Sequence, residues 1–129
     1  MDDEEVVLRV ARRMLERLGY QVDVARDGTE AVELYRRARG AGQPFDVVVL
    51  DLVVPGGLGG KETVCRLREV DPKVKAVVSS GYSNDPVVGQ YAKYGFQGAI
   101  AKPYNLSELQ AALGRILAEE PALSAHERP

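Results

Sequence analysis

Along this chain, apolar positions alternate between helical spacing and short continuous runs, and that alternation sets the expected architecture. From Glu4 to Leu18, the residues Val7, Val10, Ala11, Met14 and Leu18 recur at helical spacing, and Gly19 stops the helix. Tyr20 to Ala25 alternates and is rich in valine, which predicts a short strand. Asp27-Gly28 turns into a second helix over Thr29 to about Arg39, with Ala31, Leu34, Tyr35 and Ala38 inward. Gly40 to Pro44 is a loop, and Phe45-Asp46-Val47-Val48-Val49-Leu50-Asp51 reads as a parallel strand buried on both faces. A glycine-rich loop, Pro55 to Gly60, leads into a helix from Lys61 to about Val70.

Asp71-Pro72 turns the chain into another apolar strand, Lys75 to Ser80. Asn84-Asp85-Pro86 starts a helix that runs to Tyr94 and stops at Gly95. Ala99 to Ala101 is a short strand, and Asn105 or Ser107 caps a last helix reaching about Ala118. This order predicts one α/β domain over residues 1–118, a doubly wound parallel sheet with helices on both faces. A frayed tail over 119–129 completes the chain. The count begins with a helix, however. A regular domain of this class has a strand before Glu4, where only Met1 stands.

Composition narrows the function classes. At 129 residues with 45% hydrophobic and 28% charged content, the chain is long enough for one sizeable core. The net charge of -2 offers no basic field for nucleic acid. Arg9, Arg12, Arg13 and Arg17 read as a solvated helix face interrupted by Glu5 and Glu16. Cys65 is the single cysteine and, between Val64 and Leu67, reads as core packing. No run approaches the ~20 apolar residues of a membrane span. A cytoplasmic protein is expected.

The chemistry gathers at strand ends. Asp51 closes the longest apolar run, at the sheet edge where open α/β folds bind ligands. The acidic cluster Asp2-Asp3-Glu4-Glu5 and the pair Lys102-Pro103 could meet it there. Carboxylates at Asp2, Asp3 and Asp51 would make a hard-oxygen site suited to Mg²⁺, with phosphate oxygens completing its shell. Lys102 would supply a compact positive charge to a phosphoryl oxygen, and Ser80 a hydroxyl donor. Asp51 itself would be the nucleophile, giving an acyl phosphate.

These residues, in this order, resemble the receiver domain of two-component response regulators, and the resemblance covers nearly all of residues 1–118. It implies a flavodoxin-like sheet, with Asp2 and Asp3 as the paired Mg²⁺ acids and Asp51 as the phosphoacceptor. Val53 would lend its backbone carbonyl to the metal. Ser80 matches the switch hydroxyl, Gly81 the small residue after it, and Lys102 the family lysine, followed by a cis peptide to Pro103. The segment Ser79-Ser80-Gly81-Tyr82-Ser83-Asn84-Asp85-Pro86 is most similar to receivers at the C-terminus of hybrid sensor kinases. The implied partner is a sensor histidine kinase or phosphotransfer protein, and the domain would catalyse only its own phosphoryl gain and loss.

Simpler readings exist for each piece taken singly: helix-capping acids, a turn aspartate, a loop Lys-Pro, satisfied hydroxyls. All four would have to coincide. The run Gly56-Gly57-Leu58-Gly59-Gly60-Lys61-Glu62-Thr63 fails the P-loop pattern, because Pro55 takes the first glycine position and Glu62 the Ser/Thr position. Flexibility beside Asp51 is its expected role. His126, the only histidine, lies in the tail and is a poor phosphodonor. A haloacid-dehalogenase-type phosphatase would need a second aspartate where Val53 stands.

Two departures from the family pattern set further expectations. Losing a central strand opens a gap of nearly 10 Å between its former neighbours, given strands ~4.8 Å apart. Three outcomes compete: a chain that begins further upstream, a sheet that closes up, or a second copy filling the gap as a homodimer; the reading leans towards a dimer or an otherwise rearranged sheet. The free amino terminus beside Asp2 and Asp3 should also weaken Mg²⁺ binding. Ala99 occupies the place where many receivers carry a switching aromatic, leaving Ser80, the Gly81–Asp85 loop and Tyr104 to transmit a signal. If the strand loss disables the site, the chain is a pseudo-receiver acting as a structural or dimerisation module.

Overall fold

The computed structural model describes residues 1–81 and 84–125, with side chains described through residue 118 apart from 82 and 83. Its elements follow the expected alternation: α1 (Glu5–Arg17), α2 (Gly28–Gly40), β1 (Val48–Asp51), α3 (Gly60–Val70), β2 (Ala76–Ser80), α4 (Pro86–Gly89), a 3₁₀ turn (Tyr91–Tyr94), β3 (Gly98–Ala101) and α5 (Leu106–Ala125). The helix expected over Pro86–Tyr94 therefore breaks at Gln90, and Gly95 ends it with a left-handed φ of 100°. The last helix continues past the expected residue 118 to Ala125. His126, Tyr82 and Ser83 lie outside the described residues.

Helix ends are set by local chemistry. The Asp27 carboxylate accepts from the Glu30 N–H at 2.9 Å, starting α2. At α5, the Asn105 side chain accepts from the Glu108 N–H at 2.8 Å while Glu108 accepts from the Asn105 N–H at 2.9 Å, a capping box that selects Asn105 over Ser107.

The sheet is three-stranded and parallel, in the order β1-β2-β3, with Asp51 beside Ser79 and Ser80 beside Ala101. β2 is central and buried throughout. One face packs Leu50, Val64, Leu67, Val78 and Phe96 with α2, α3 and α4. The other packs Val77, Ile100, Leu109, Leu113 and Ile116 with α1 and α5. Each fully buried aliphatic side chain here contributes about 1.5–3 kcal/mol.

Several expectations need correction. Tyr20–Ala25 is not a strand, although burial alternates along it as a strand's would. A strand is defined by a partner's backbone, and among the described residues this segment's cross-chain bond is Asp2 N–H to Ala25 C=O at 3.1 Å. β1 begins at Val48 rather than Phe45, and Val48 and Val49 are only half-buried, because one side of the strand is open. On α1, Leu8 is the buried residue while Val10 is 47% exposed. Cys65 is exposed and not in the core. Val64 and Leu67 face inward one and two positions either side of it, and a helix turns 100° per residue.

Nor does the sheet close over the missing strand. No backbone bond among the described residues joins segment 20–25 to β1. Met1 stands between them instead: its amino group donates to Val49 C=O at 2.7 Å, and its carbonyl accepts from the Asp51 N–H at 3.0 Å. Behind Met1 lies an open trough of about 810 Å³.

Candidate functional site

The carboxyl ends of the strands bring the expected residues together. Asp51 ends β1 and is 6% exposed; Asp2 is 4% exposed. Asp2 is fixed from two sides, by its N–H on Ala25 C=O and by its carboxylate, which accepts from the Glu4 N–H at 3.0 Å. That second bond is an Asx turn leading into α1, whose own N-cap, Glu4, has no side-chain cap bond, so Asp2 does not cap the helix. Lys102 leaves β3 just before a cis peptide to Pro103, and its N–H donates to Ser80 C=O at 2.8 Å. Its ammonium reaches Asp2 at 2.6 Å and Asp51 at 3.0 Å. Ligand oxygens of Asp2, Asp3 and Asp51 lie within 4.8 Å of one another, with Asp3 on the solvent side.

The electrostatics follow from crowding. Burial pushes the Asp51 carboxyl above its usual range; the Lys102 hydrogen bond opposes this, and the charges of Asp2 and Asp3 add to the rise. Burial works against the Lys102 ammonium, but its bonds to Asp2 and Asp51 outweigh that and hold the amine above its usual value. The Met1 amino group, desolvated against β1, is lowered to about 6 despite the nearby carboxylates. Tyr104 is pushed up by burial and stands within the field of Lys102, Asp2 and Asp51.

Ser80 is buried at the end of β2, one residue past the Asp51–Ser79 pair. Val53 is two residues beyond Asp51, in the loop to α3, with its side chain 51% exposed. The glycine-rich loop packs tightly here. A Cβ at Gly59 would sit 2.5 Å from the Leu52 carbonyl oxygen, and one at Gly60 would sit 2.8 Å from that of Asp51. Close approach, not flexibility, is what these two glycines provide. Sequence reasoning missed the ladder role of Met1 and the Ser79 hydroxyl, which is buried without a partner among the described residues. The only signal for Met1 was its position one residue before the paired acids.

The model for the response regulator receiver domain matches residues 1–114. The chain belongs to the response regulator receiver domain family. Curated relatives of this receiver include the sensor histidine kinase AruS of Pseudomonas aeruginosa, 32% identical over 94% of the chain and 12% of the kinase. The chemotaxis protein CheY of Thermotoga maritima is 26% identical, covering 90% of the chain and 92% of CheY. Among solved structures, the receiver domain of sensor histidine kinase PA1611 from P. aeruginosa superposes with a TM-score of 0.79 at 26% identity, over 92% of this chain and 93% of that one. That structure has a magnesium ion coordinated in its active-site cleft. The receiver here thus spans a small fraction of the kinase it matches and nearly the whole of CheY. Among the described residues, no helix is long and apolar enough to cross a membrane.

The donor set suits a hard divalent cation. Three carboxylates converge, two of them buried and paired with Lys102, leaving excess negative charge that this one ammonium does not offset.

Proposed function

We propose that this receiver accepts a phosphoryl group on Asp51 from a phosphohistidine of a sensor histidine kinase or phosphotransfer protein. The observation that carries the reading is the Lys102 ammonium, held between the buried carboxylates of Asp2 and Asp51. In the transfer, a carboxylate oxygen of Asp51 bonds to phosphorus as the P–N bond to the donor imidazole breaks. The imidazole leaves with the electron pair and takes up a proton.

Bound by Asp2, Asp3, Asp51 and the Val53 carbonyl, Mg²⁺ would offset charge on the carboxylates and on the incoming phosphoryl oxygens. Lys102, released from Asp51 as that carboxylate becomes an acyl phosphate, turns its ammonium to a phosphoryl oxygen. Ser80 offers its hydroxyl to another. Its backbone tie to Lys102 makes the two move as one, a route from the pocket to the end of β3 that needs no aromatic at Ala99. The product is a modified protein rather than a released small molecule, so the receiver acts as a signalling acceptor and not as an enzyme on an external substrate.

Incubation with a phosphorylated histidine kinase and Mg²⁺ should transfer label to the receiver, and Asp51→Asn should abolish it. Equal labelling of the two proteins would place the acceptor elsewhere. The open trough favours one competing reading, a pseudo-receiver used as a binding module. Under it, neither protein takes label and Asp51→Asn changes nothing measurable.

A further inference from the structure

We propose that Gly28 and Thr63 are positioning residues for the cation. Together they brace the glycine-rich loop so that the Val53 carbonyl serves as a ligand, and they thereby set which ion the pocket prefers. The inference rests on the Mg²⁺ site proposed above.

The loop needs a brace from outside itself. Positions 56, 57, 59 and 60 are all glycine, and Gly56 has a left-handed φ of 76° with open space around it. Glycine backbone loses more freedom on ordering than any other. Val53 is half-exposed, so its side chain gives it little hold. The peptides on either side are held instead. Leu52 C=O accepts from the Gly60 N–H at 3.2 Å, and Val54 C=O accepts from the Gly57 N–H at 3.0 Å. Among the described residues, the Val53 carbonyl itself has no backbone partner. Both restraints run through glycines, so whatever fixes those glycines fixes Val53.

The start of α2 and the first turn of α3 do this. Gly28 N–H donates to Leu58 C=O at 2.8 Å. Thr63, completely buried, donates its hydroxyl to Gly59 C=O at 2.6 Å, and its N–H reaches the same oxygen at 3.0 Å. Two consecutive loop carbonyls are thus tied, one to each residue. The fit is close. A Cβ at Gly28 would collide with the Thr63 hydroxyl and sit 2.8 Å from the Leu58 carbonyl oxygen. One at Gly57 would sit 3.2 Å from the Asp27 Cβ. Moving either tie shifts Gly59, which already lies against the Leu52 carbonyl, in the peptide that precedes Val53.

Ion preference reads this out. Mg²⁺ demands near-octahedral ligands at about 2.0–2.1 Å, whereas Ca²⁺ accepts longer and less regular ones. A loosened Val53 carbonyl therefore costs Mg²⁺ more than Ca²⁺, which a general loss of stability would not do. The test is calorimetric titration with Mg²⁺ alone and with Ca²⁺ alone, on the receiver and on Thr63→Val, Thr63→Ser and Gly28→Ala. Thr63→Val keeps the shape and loses the hydroxyl; it should weaken Mg²⁺ binding about tenfold and Ca²⁺ binding less than about threefold. Thr63→Ser keeps the hydroxyl and should bind both ions within about twofold of the unaltered receiver. Gly28→Ala should shift the preference as Thr63→Val does, and Thr63→Val decides the matter should Gly28→Ala fail to fold. Three results would overturn the proposal and leave the metal site standing: equal weakening of both ions, unchanged Mg²⁺ affinity in Thr63→Val, or Thr63→Ser as poor as Thr63→Val. If the unaltered receiver takes up no Mg²⁺, the metal site and this proposal fall together.

Discussion

The two edges of β1 carry one short sequence into two different environments. Toward β2, the strand is fully laddered, with Val48 N–H on Lys75 C=O and Leu52 N–H on Ser79 C=O, and Leu50 is completely buried. Toward residues 20–25, the bonds are those to Met1, and Val47 and Val49 are half-buried above an open trough. The acidic pocket nevertheless forms. Its residues sit at the strand ends, and a single residue of ladder suffices to bring Asp2 beside Asp51 and Lys102.

The difference predicts unequal mutational costs along one strand. Leu50→Ala should destabilise by about 2–5 kcal/mol, while Val49→Ala, on the open edge, should cost less than about 1.5 kcal/mol by urea denaturation. Equal losses would mean that the trough is closed in solution. Next in size, Gly60→Ala forces a methyl against the Asp51 carbonyl and should cost about 1–3 kcal/mol, with disturbed resonances at Asp51 in NMR spectra.

Mg²⁺ probes the pocket without touching either edge. At a hundred times its Kd, the ion should stabilise the receiver by about 2.7 kcal/mol, seen as a rise in Tm that Asp51→Asn and Asp2→Asn each diminish. Insensitivity of all three proteins to Mg²⁺ would remove the pocket from consideration as a metal site.

The smallest effect lies at the contact between α2 and the end of α3. The Tyr35 hydroxyl donates to Asp71 at 2.7 Å, with Arg39 3.8 Å from the same carboxylate, tying α2 to the end of α3. The Tyr35 bond, more than the nearby cations, holds the Asp71 carboxyl below its usual value. A depressed carboxyl stabilises the fold above its unfolded pKa and loses that contribution as pH falls through the folded one. Tyr35→Phe should therefore cost about 1 kcal/mol at neutral pH, fading in acid. A constant difference across pH would assign the cost to packing with Phe45, whose ring centroid is 6.2 Å away.

How much was legible in the sequence divides along the same line. The convergence of Asp2, Asp3, Asp51 and Lys102 was readable because Asp51 and Lys102 each close an apolar run and Asp2 and Asp3 open an acidic cluster before α1, signals carried by the residue and its immediate neighbours. The order of helices and strands was readable for the same reason. Tyr20–Ala25 was misjudged because alternation encodes a preference for extended backbone, while strand formation needs a partner that the local sequence cannot supply. Val10 and Cys65 were misplaced because a helix's inward direction depends on what it packs against. The tight fit of Gly59 and Gly60 was invisible too, since the backbone they approach is brought there by tertiary packing.

The central proposal is that the pocket of Asp2, Asp3, Asp51 and Lys102 takes up a phosphoryl group with Mg²⁺. The most direct measurement is an NMR titration of the receiver with beryllofluoride and Mg²⁺, following Asp51, Ser80 and Lys102. The account predicts saturable shifts at all three, absent in Asp51→Asn. Shifts confined to Asp3 and the exposed acids, or none at all, would contradict it.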